Sequence, residues 1–140
     1  MLTKVKSATV FGIDAIPVTV EIDCSKGLPK EVIVGLPDTI VKESKERIKA
    51  GIRNANFEYP LKVYTINLAP ADIKKEGTLF DVPIAIGILQ STQQLPIETD
   101  SYFVGELSLN GDIKPVKGIV PICLLAKASS IKRVFIPYDN

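Results

Sequence analysis

Histidine and tryptophan are missing from this sequence of 140 residues, and cysteine occurs only twice. Without histidine, catalytic triads that depend on imidazole and most zinc sites are excluded. Cys24 and Cys123 lie far apart and lack the paired spacing of a metal knuckle or a redox motif, so we expect two reduced thiols. These absences therefore restrict the possible functions more than any single motif in the sequence does.

The sequence also lacks an excess of either charge and any long apolar run. Its 17 basic and 16 acidic residues give a net charge of +1, so nucleic-acid binding would need local clustering of basic residues. No apolar run approaches the roughly 18 residues that a spanning helix needs, and the amino terminus lacks the apolar core of a secretion signal. We therefore expect a cytoplasmic protein without a membrane partner.

Hydrophobic content of 46% predicts one domain over residues 1–140, because a chain of this length can form one sizeable core. Alternating polarity predicts a hairpin from residues 4–11 and 16–23, and further strands at 31–34, 62–68 and 133–136. Helical spacing predicts helices over about 38–55, 82–93 and 117–129, the second almost wholly buried. Asn110-Gly111 predicts a two-residue type I′ turn between strands at 102–109 and 112–116.

An aspartate stands at the start of each of the first two predicted helices. Asp38 follows Pro37, and Asp81 precedes Pro83 in a first turn, so both carboxylates are predicted to accept hydrogen bonds from free helix amides. For Asp81 the alternative is a catalytic carboxylate.

The first predicted helix carries an apolar stripe formed by Ile40, Val41, Ser44, Ile48 and Ile52. Beside the stripe lies a basic ridge formed by Lys42, Lys45, Lys49 and Arg53. In one interpretation the ridge is a solvated face, on which Glu43 pairs with Arg47 and Glu46 with Lys49. In the other, the four aligned cations follow a phosphate backbone and bind DNA without base specificity. The sequence leaves both interpretations open.

The loop between the strand at 62–68 and the second predicted helix is where an α/β protein usually carries its functional groups. It contains no histidine, cysteine or serine. Asp72, Glu76 and Asp81 offer hard oxygen ligands to a metal ion, but loop acids are more often solvated or capping groups. The sequence also lacks a Gly-x-x-x-x-Gly-Lys-[Ser/Thr] loop for nucleotide hydrolysis. We therefore expect no catalytic residue, metal or cofactor in this segment.

Several motifs in one order resemble a known family. They are Val34-Gly35-Leu36-Pro37-Asp38, Thr65-Ile66-Asn67-Leu68-Ala69-Pro70-Ala71-Asp72, Lys75-Glu76-Gly77, Phe80-Asp81-Val82-Pro83-Ile84-Ala85-Ile86-Gly87, Gly105-Glu106-Leu107 and Pro115-Val116-Lys117-Gly118. Together they resemble the N-terminal domain of the ComM/YifB proteins, bacterial AAA+ proteins often described as magnesium chelatase-related or ChlI-like. The resemblance extends over nearly the whole chain.

This resemblance implies a fold as well as a function. The implied fold is a two-layer α/β (α+β) domain with helices on one side of a mixed sheet, of the ribosomal-protein and Lon-protease-like kind. In ComM-like proteins it precedes an AAA+ ATPase module that binds ATP and magnesium, assembles as a hexamer and drives DNA branch migration in recombination. The implied function is a non-catalytic accessory domain that aids assembly and DNA guidance; the implied partners are the downstream module, other subunits and DNA.

The resemblance also offers two alternatives, a Lon-like peptidase and a magnesium chelatase-type accessory domain. Lon peptidases use a serine nucleophile in a Lys-Asp-Gly-Pro-Ser-Ala-Gly loop and a lysine as its base. Alignment of that loop with residues 75–81 puts Leu79 at the nucleophile, and the following helix puts Val120, or a neighbour, at the base. Neither side chain can do this chemistry. Thr78 with Lys117 is a conceivable substitute, although Thr78 is one residue early and is expected to point away.

Overall fold

A computed structural model describes residues 1–75 and 77–140, so Glu76 lies outside the described residues. The elements follow in the order β1 (Leu2–Phe11), β2 (Asp14–Ser25), β3 (Lys30–Val34), α1 (Asp38–Asn54), β4 (Val63–Ala69), α2 (Asp81–Ser91), β5 (Ser101–Phe103), β6 (Glu106–Leu107), β7 (Ile113–Lys114), α3 (Ile119–Ala128) and β8 (Arg133–Phe135).

Six strands form one mixed sheet in the order β3-β4-β2-β1-β5-β8, which confirms the predicted fold class. The predicted first hairpin is also confirmed, because β1 and β2 pair antiparallel from Leu2 opposite Asp23 to Phe11 opposite Asp14. On the other side of β1, β5 pairs parallel, with Lys6 opposite Tyr102. The sheet therefore combines an antiparallel centre with parallel pairs at both edges.

Helix α2 is the central helix of the core, as its apolar sequence predicts. All its residues except Ile86 are buried, and it packs on β1 and β2. Gly87 allows this close approach, because a Cβ atom there would lie 2.1 Å from Cδ1 of Ile22. Helix α1 packs beside α2 and buries Ser44, Ile48, Gly51 and Ile52, which include three residues of the predicted stripe.

Helix α3 begins against the other face of the sheet. Gly87 of α2 meets Val5, whereas Gly118, just before α3, meets Val10. Side chains alternate along a strand, so Val5 and Val10 point to opposite faces. The expectation of helices on one side thus holds for α1 and α2, and α3 covers part of the second face.

The prediction of one strand over residues 102–109 is wrong, because this segment forms two short strands, β5 and β6. Residues 101–103 pair with β1, and residues 106–107 pair instead with β7 in a separate two-stranded sheet, Leu107 lying opposite Ile113. This register leaves a longer loop than the predicted type I′ turn. Gly111 has φ of +93°, Asn110 is not among the residues with positive φ, and the Gly111 N–H donates to Ser108 O at 3.1 Å. That pattern fits a type I turn followed by a glycine bulge.

Both capping predictions are wrong. Asp38 and Asp81 are the first helical residues of α1 and α2, and neither helix has a side-chain hydrogen bond at its cap. Among the described residues, no helix combines the length and hydrophobicity needed to cross a membrane.

Candidate functional site

An open groove of about 460 Å³ lies where the central loop approaches the segment before α3. We call it the loop groove. Its lining comprises Thr9 and Val10 at the end of β1, residues 77–79 on one wall and residues 115–118 on the other. The resemblance pointed to the same two segments.

Hydrogen bonds from Gly105 and from Lys75 hold the first wall in place. The carbonyl oxygen of Leu79 accepts a hydrogen bond from the Gly105 N–H at 2.9 Å, and Leu79 itself is buried. The side chain of Lys75 is only 1% exposed, and its Nζ donates to the carbonyl oxygens of Pro70 and of Ile73, the latter at 2.9 Å. Burial lowers the pKa of Lys75, and the nearby charge of Asp72 opposes this. Lys75 therefore fixes the shape of the loop, a role that the sequence did not reveal.

The second wall is held by a side chain near the end of the chain. Asn140 donates from Nδ2 to the Val116 carbonyl oxygen at 2.9 Å and accepts from the Val116 N–H at 3.0 Å. At the base of this wall, Gly118 has φ of +88°, and a Cβ atom there would lie 2.2 Å from Cγ2 of Val10. Both the left-handed backbone and the close contact require glycine at this position.

The two positions that correspond to the Lon dyad are placed differently. Leu79 lines the loop groove, whereas Val120 is 69% exposed and is not part of its lining. Thr78 and Lys117, the conceivable substitutes, lie on its two walls. No hydrogen bond joins these two described side chains. The position that the resemblance aligns with the nucleophile therefore carries a buried aliphatic side chain.

The basic ridge on α1 is partly neutralised. Nζ of Lys49 lies 2.8 Å from Oε1 of Glu31, and the Arg53 guanidinium lies 5.8 Å from the centre of the Tyr59 ring. Lys42 is exposed and Lys45 is half-buried. The predicted Glu46–Lys49 pair is wrong, because Lys49 reaches across to β3 instead of along its own helix.

Glu31 is the carboxylate that pairs with the ridge at Lys49. Burial opposes its ionisation, but hydrogen bonds from Lys49 and from the Tyr59 hydroxyl, together with the charge of Lys45, lower its pKa. A carboxylate so placed offsets the charge of Lys49. Among the described residues, Lys42 and Lys45 at the start of α1 form no ion pair, although the charge of Lys45 also acts on Glu31.

Asp81 forms a buried ion pair that the sequence did not predict. Its carboxylate is 1% exposed and accepts hydrogen bonds from Arg47 Nε at 2.6 Å, Arg47 Nη2 at 3.2 Å, Ser44 Oγ at 2.9 Å and the Leu107 N–H at 3.1 Å. The hydrogen bond to Asp81 raises the pKa of Arg47, against the effect of burial. The predicted Glu43–Arg47 pair is therefore wrong, since Arg47 points into the core and joins α1 to α2 and β6.

The remaining acidic candidates do not assemble into a metal centre within the described residues. Residues 1–75 and 77–140 contain no group of three potential Asp, Glu, Cys or His ligands, and Asp81 is already engaged by Arg47. Asp72 is exposed in the loop, and Glu76 lies outside the described residues.

Comparison with known proteins identifies relatives of this chain. A family model described as subunit ChlI of Mg-chelatase matches residues 20–140. The chain is 43% identical to YifB of Escherichia coli over 99% of its length and 45% identical to competence protein ComM of Haemophilus influenzae over 91%. It is also 31% identical to Lon protease 2 of Bacillus subtilis over 74% of its length. The chain spans 28% of YifB and 26% of ComM, so it corresponds to about a quarter of each.

Proposed function

This chain belongs to the family described as subunit ChlI of Mg-chelatase, with ComM and YifB among its relatives, and from that membership we propose that it is a non-catalytic accessory domain. In this proposal it serves a ComM-like hexameric AAA+ ATPase that moves branched DNA during recombination in natural transformation. It aids assembly of the ring and guides DNA, while ATP and magnesium are bound in the ATPase module. The observation that carries the proposal is 45% identity to a competence protein, restricted to about a quarter of that protein.

The absence of peptidase activity is proposed from the groove. The segment that the resemblance aligns with the nucleophile loop carries the buried Leu79 at the nucleophile position, and a leucine side chain cannot attack a carbonyl carbon. The position assigned to the base, Val120, faces solvent outside the loop groove. The domain is therefore expected to keep the shape of a peptidase without its chemistry.

We propose that DNA contact is made by Lys42 and Lys45, with Lys49 and Arg53 as weaker contributors. Lys49 is paired with Glu31 and Arg53 lies over Tyr59, so neither offers a full charge to a phosphate without losing an existing contact. Lys42 and Lys45 have no carboxylate within ion-pair distance among the described residues. A phosphate backbone along the start of α1 would therefore meet these two side chains first.

The test is fluorescence anisotropy of labelled single- and double-stranded DNA across a range of salt concentrations. Reversal of charge at Lys42 and Lys45 is expected to reduce the slope of log affinity against log salt by about two, since each neutralised phosphate contributes about 0.9. The matched control is Lys114→Glu with Lys127→Glu, which changes the net charge equally at other exposed positions. Equal losses in both double variants, or no binding of DNA at low salt, would refute the assignment.

A Lon-like peptidase is the second candidate, because Thr78 and Lys117 lie on the walls of one groove and a Lon protease is among the relatives. Casein digestion separates the two functions. We expect no cleavage; cleavage that disappears in Thr78→Val would establish the peptidase. The third candidate, a magnesium chelatase-type accessory domain, has the family description in its favour but no cluster of acids among the described residues.

A further inference from the structure

Two exposed leucines lie at the end of the sheet where β3 and β4 begin. These strands pair parallel with Lys30 opposite Val63, and Leu28 and Leu61 each precede this pair by two residues, so both lie beyond the same end of the sheet. Leu28 is 89% exposed and Leu61 is 69% exposed, so both side chains project into solvent. We call this surface the leucine end; its residues are Lys26, Leu28, Lys30, Leu61 and Lys62.

Three lysines flank the two leucines. Two of them are exposed on either side of Leu28, and the half-buried Lys62 follows Leu61. The two segments are joined through their backbones, because the Lys30 N–H donates to the Lys62 carbonyl oxygen at 3.2 Å. Neither segment contains an acidic residue. The leucine end therefore combines projecting apolar side chains with positive charge.

The acids that lie nearest in sequence do not neutralise this charge. Glu31 is held by Lys49 at 2.8 Å, and the carboxylate of Asp23 lies 3.8 Å from the amino group of Met1. Glu58 is exposed and contributes one negative charge. One carboxylate thus stands against three ammonium groups, and the surface keeps a net positive charge.

The backbone beside the leucines offers few unpaired polar groups. Pro29 follows Leu28 and Pro60 precedes Leu61, and a proline has no N–H to satisfy. The Pro60 carbonyl oxygen accepts a hydrogen bond from the Tyr64 hydroxyl at 2.7 Å. Polar groups that are paired or missing favour transfer to a region with little water, because an unsatisfied backbone group there is costly.

We propose that the leucine end binds the surface of an anionic lipid bilayer. Leu28 and Leu61 enter the boundary between the headgroups and the acyl chains, while the lysines stay among the anionic headgroups. The expectation of no membrane partner came from the lack of a long apolar run, which a surface contact does not need. Projecting side chains enter a deformable bilayer directly, whereas a folded partner protein would need a separate pocket for each leucine.

A nucleic acid fits the leucine end less well. Single strands are bound by aromatic side chains on which the bases stack, and the aromatic residue nearest in sequence, Tyr59, is only 9% exposed. The leucines gain little from a phosphate backbone, so DNA would contact the lysines alone. The lysines proposed to contact DNA, Lys42 and Lys45, belong to a different element, so the lipid contact stands or fails independently of DNA binding.

The test is sedimentation of the 140-residue chain with vesicles of phosphatidylcholine that contain about 30% phosphatidylglycerol. Lys30→Ala with Lys62→Ala is expected to reduce the partition coefficient by about 25-fold, because each lysine near an anionic surface contributes about fivefold. The matched control is Lys114→Ala with Lys127→Ala, which removes the same charge at exposed positions elsewhere and should have a much smaller effect.

Two further variants test whether the leucines enter the bilayer. Leu28→Ser with Leu61→Ser leaves every charge in place and should reduce the partition coefficient by about tenfold or more. The chain has no tryptophan, so Leu28→Trp introduces a single fluorophore. Its emission should shift to the blue on vesicles and be quenched by brominated acyl chains. Leu124→Trp, at a position that is 63% exposed on α3, should show neither effect.

Three results would overturn the proposal. The first is an absence of binding to anionic vesicles at low salt, and the second is an equal loss in the two lysine double variants. The third is unchanged binding in Leu28→Ser with Leu61→Ser, which would leave the leucines without a role. If the wild-type chain binds single-stranded DNA through Lys30 and Lys62 but does not bind vesicles, the leucine end is a nucleic-acid contact instead.

Discussion

The ion pair between Arg47 and Asp81 supports a quantitative prediction about stability. Removal of one partner of a buried pair costs about 3–5 kcal/mol, because the other charge remains in the protein interior without compensation. The side chain of Asp81 is 1% exposed and that of Arg47 is 19% exposed. Arg47→Met leaves the charge of Asp81, the more deeply buried of the two, without its partner, so we expect this variant to cost about 4–5 kcal/mol. Asp81→Asn leaves the more exposed charge of Arg47 unpaired and should cost about 2–3 kcal/mol.

The double variant tests whether the cost of each single substitution arises from the uncompensated charge. With Arg47→Met and Asp81→Asn together, no charge is left. The single amide oxygen can accept from the Leu107 N–H, while the hydroxyl of Ser44, which donates to the other carboxylate oxygen in the wild type, can accept from the amide nitrogen. We expect the double variant to be more stable than Arg47→Met alone. Urea unfolding followed by circular dichroism gives all four free energies of unfolding, provided that the m-values agree.

A second charge on the same helix serves as the control for this cycle. Arg53 lies over the Tyr59 ring at the surface, so Arg53→Met should cost at most about 1 kcal/mol. If Arg47→Met and Asp81→Asn each cost less than about 1 kcal/mol, or if their costs simply add, the pair does not act as a buried and mutually dependent unit. The argument from burial would then be refuted.

Two further predictions concern pH and backbone conformation. Burial, with smaller contributions from Cys24 and Glu31, raises the pKa of Tyr64 from 10.0 to about 12. The stability that this group contributes below pH 10 should therefore be lost as pH rises from 10 to above 12, by roughly 3 kcal/mol in all. Urea midpoints across this range measure the loss, and Tyr64→Phe should reduce it; the remaining loss comes from Tyr59, whose pKa is raised by burial and by its hydrogen bond to Glu31. An unchanged slope would contradict the assignment. Gly118→Ala should destabilise the domain by about 2–3 kcal/mol, because the new Cβ would contact Val10 and the backbone is left-handed. Gly12→Ala should cost only about 1 kcal/mol, because Gly12 has φ of +65° but open space around the position of a Cβ atom. Similar urea midpoints for both alanine variants would show that the contact with Val10 can relax.

Regular elements with strong periodicity could be predicted from the sequence. The hairpin of β1 and β2 and the buried helix α2 depend on local alternation and on a continuous apolar run, and both are present. The end of the chain from residue 101 was predicted less well. There, two adjacent strands belong to different sheets: β5 pairs with Lys6, which lies far away in sequence, whereas β6 pairs with Ile113 in a local hairpin.

Charged side chains were the least predictable part of the candidate site. Spacing along one helix favoured ion pairs between Glu43 and Arg47 and between Glu46 and Lys49, because side chains three and four residues apart on a helix are always close. In the structure both basic residues pair instead with acids on other elements, Asp81 and Glu31. A partly buried carboxylate gains more from a cation than an exposed one does, so tertiary burial outweighs helical proximity.

The sequence by itself determined that imidazole chemistry is absent and that position 79, in the loop equivalent to the Lon nucleophile loop, carries leucine, since residue identity alone decides which reactions a side chain can perform. Only the tertiary structure decided which cations of α1 form ion pairs and how Lys75 fixes the central loop. These features arise from the relative lengths and positions of elements distant in the chain. Local patterns carry no information about them, because each is a property of a pair of elements.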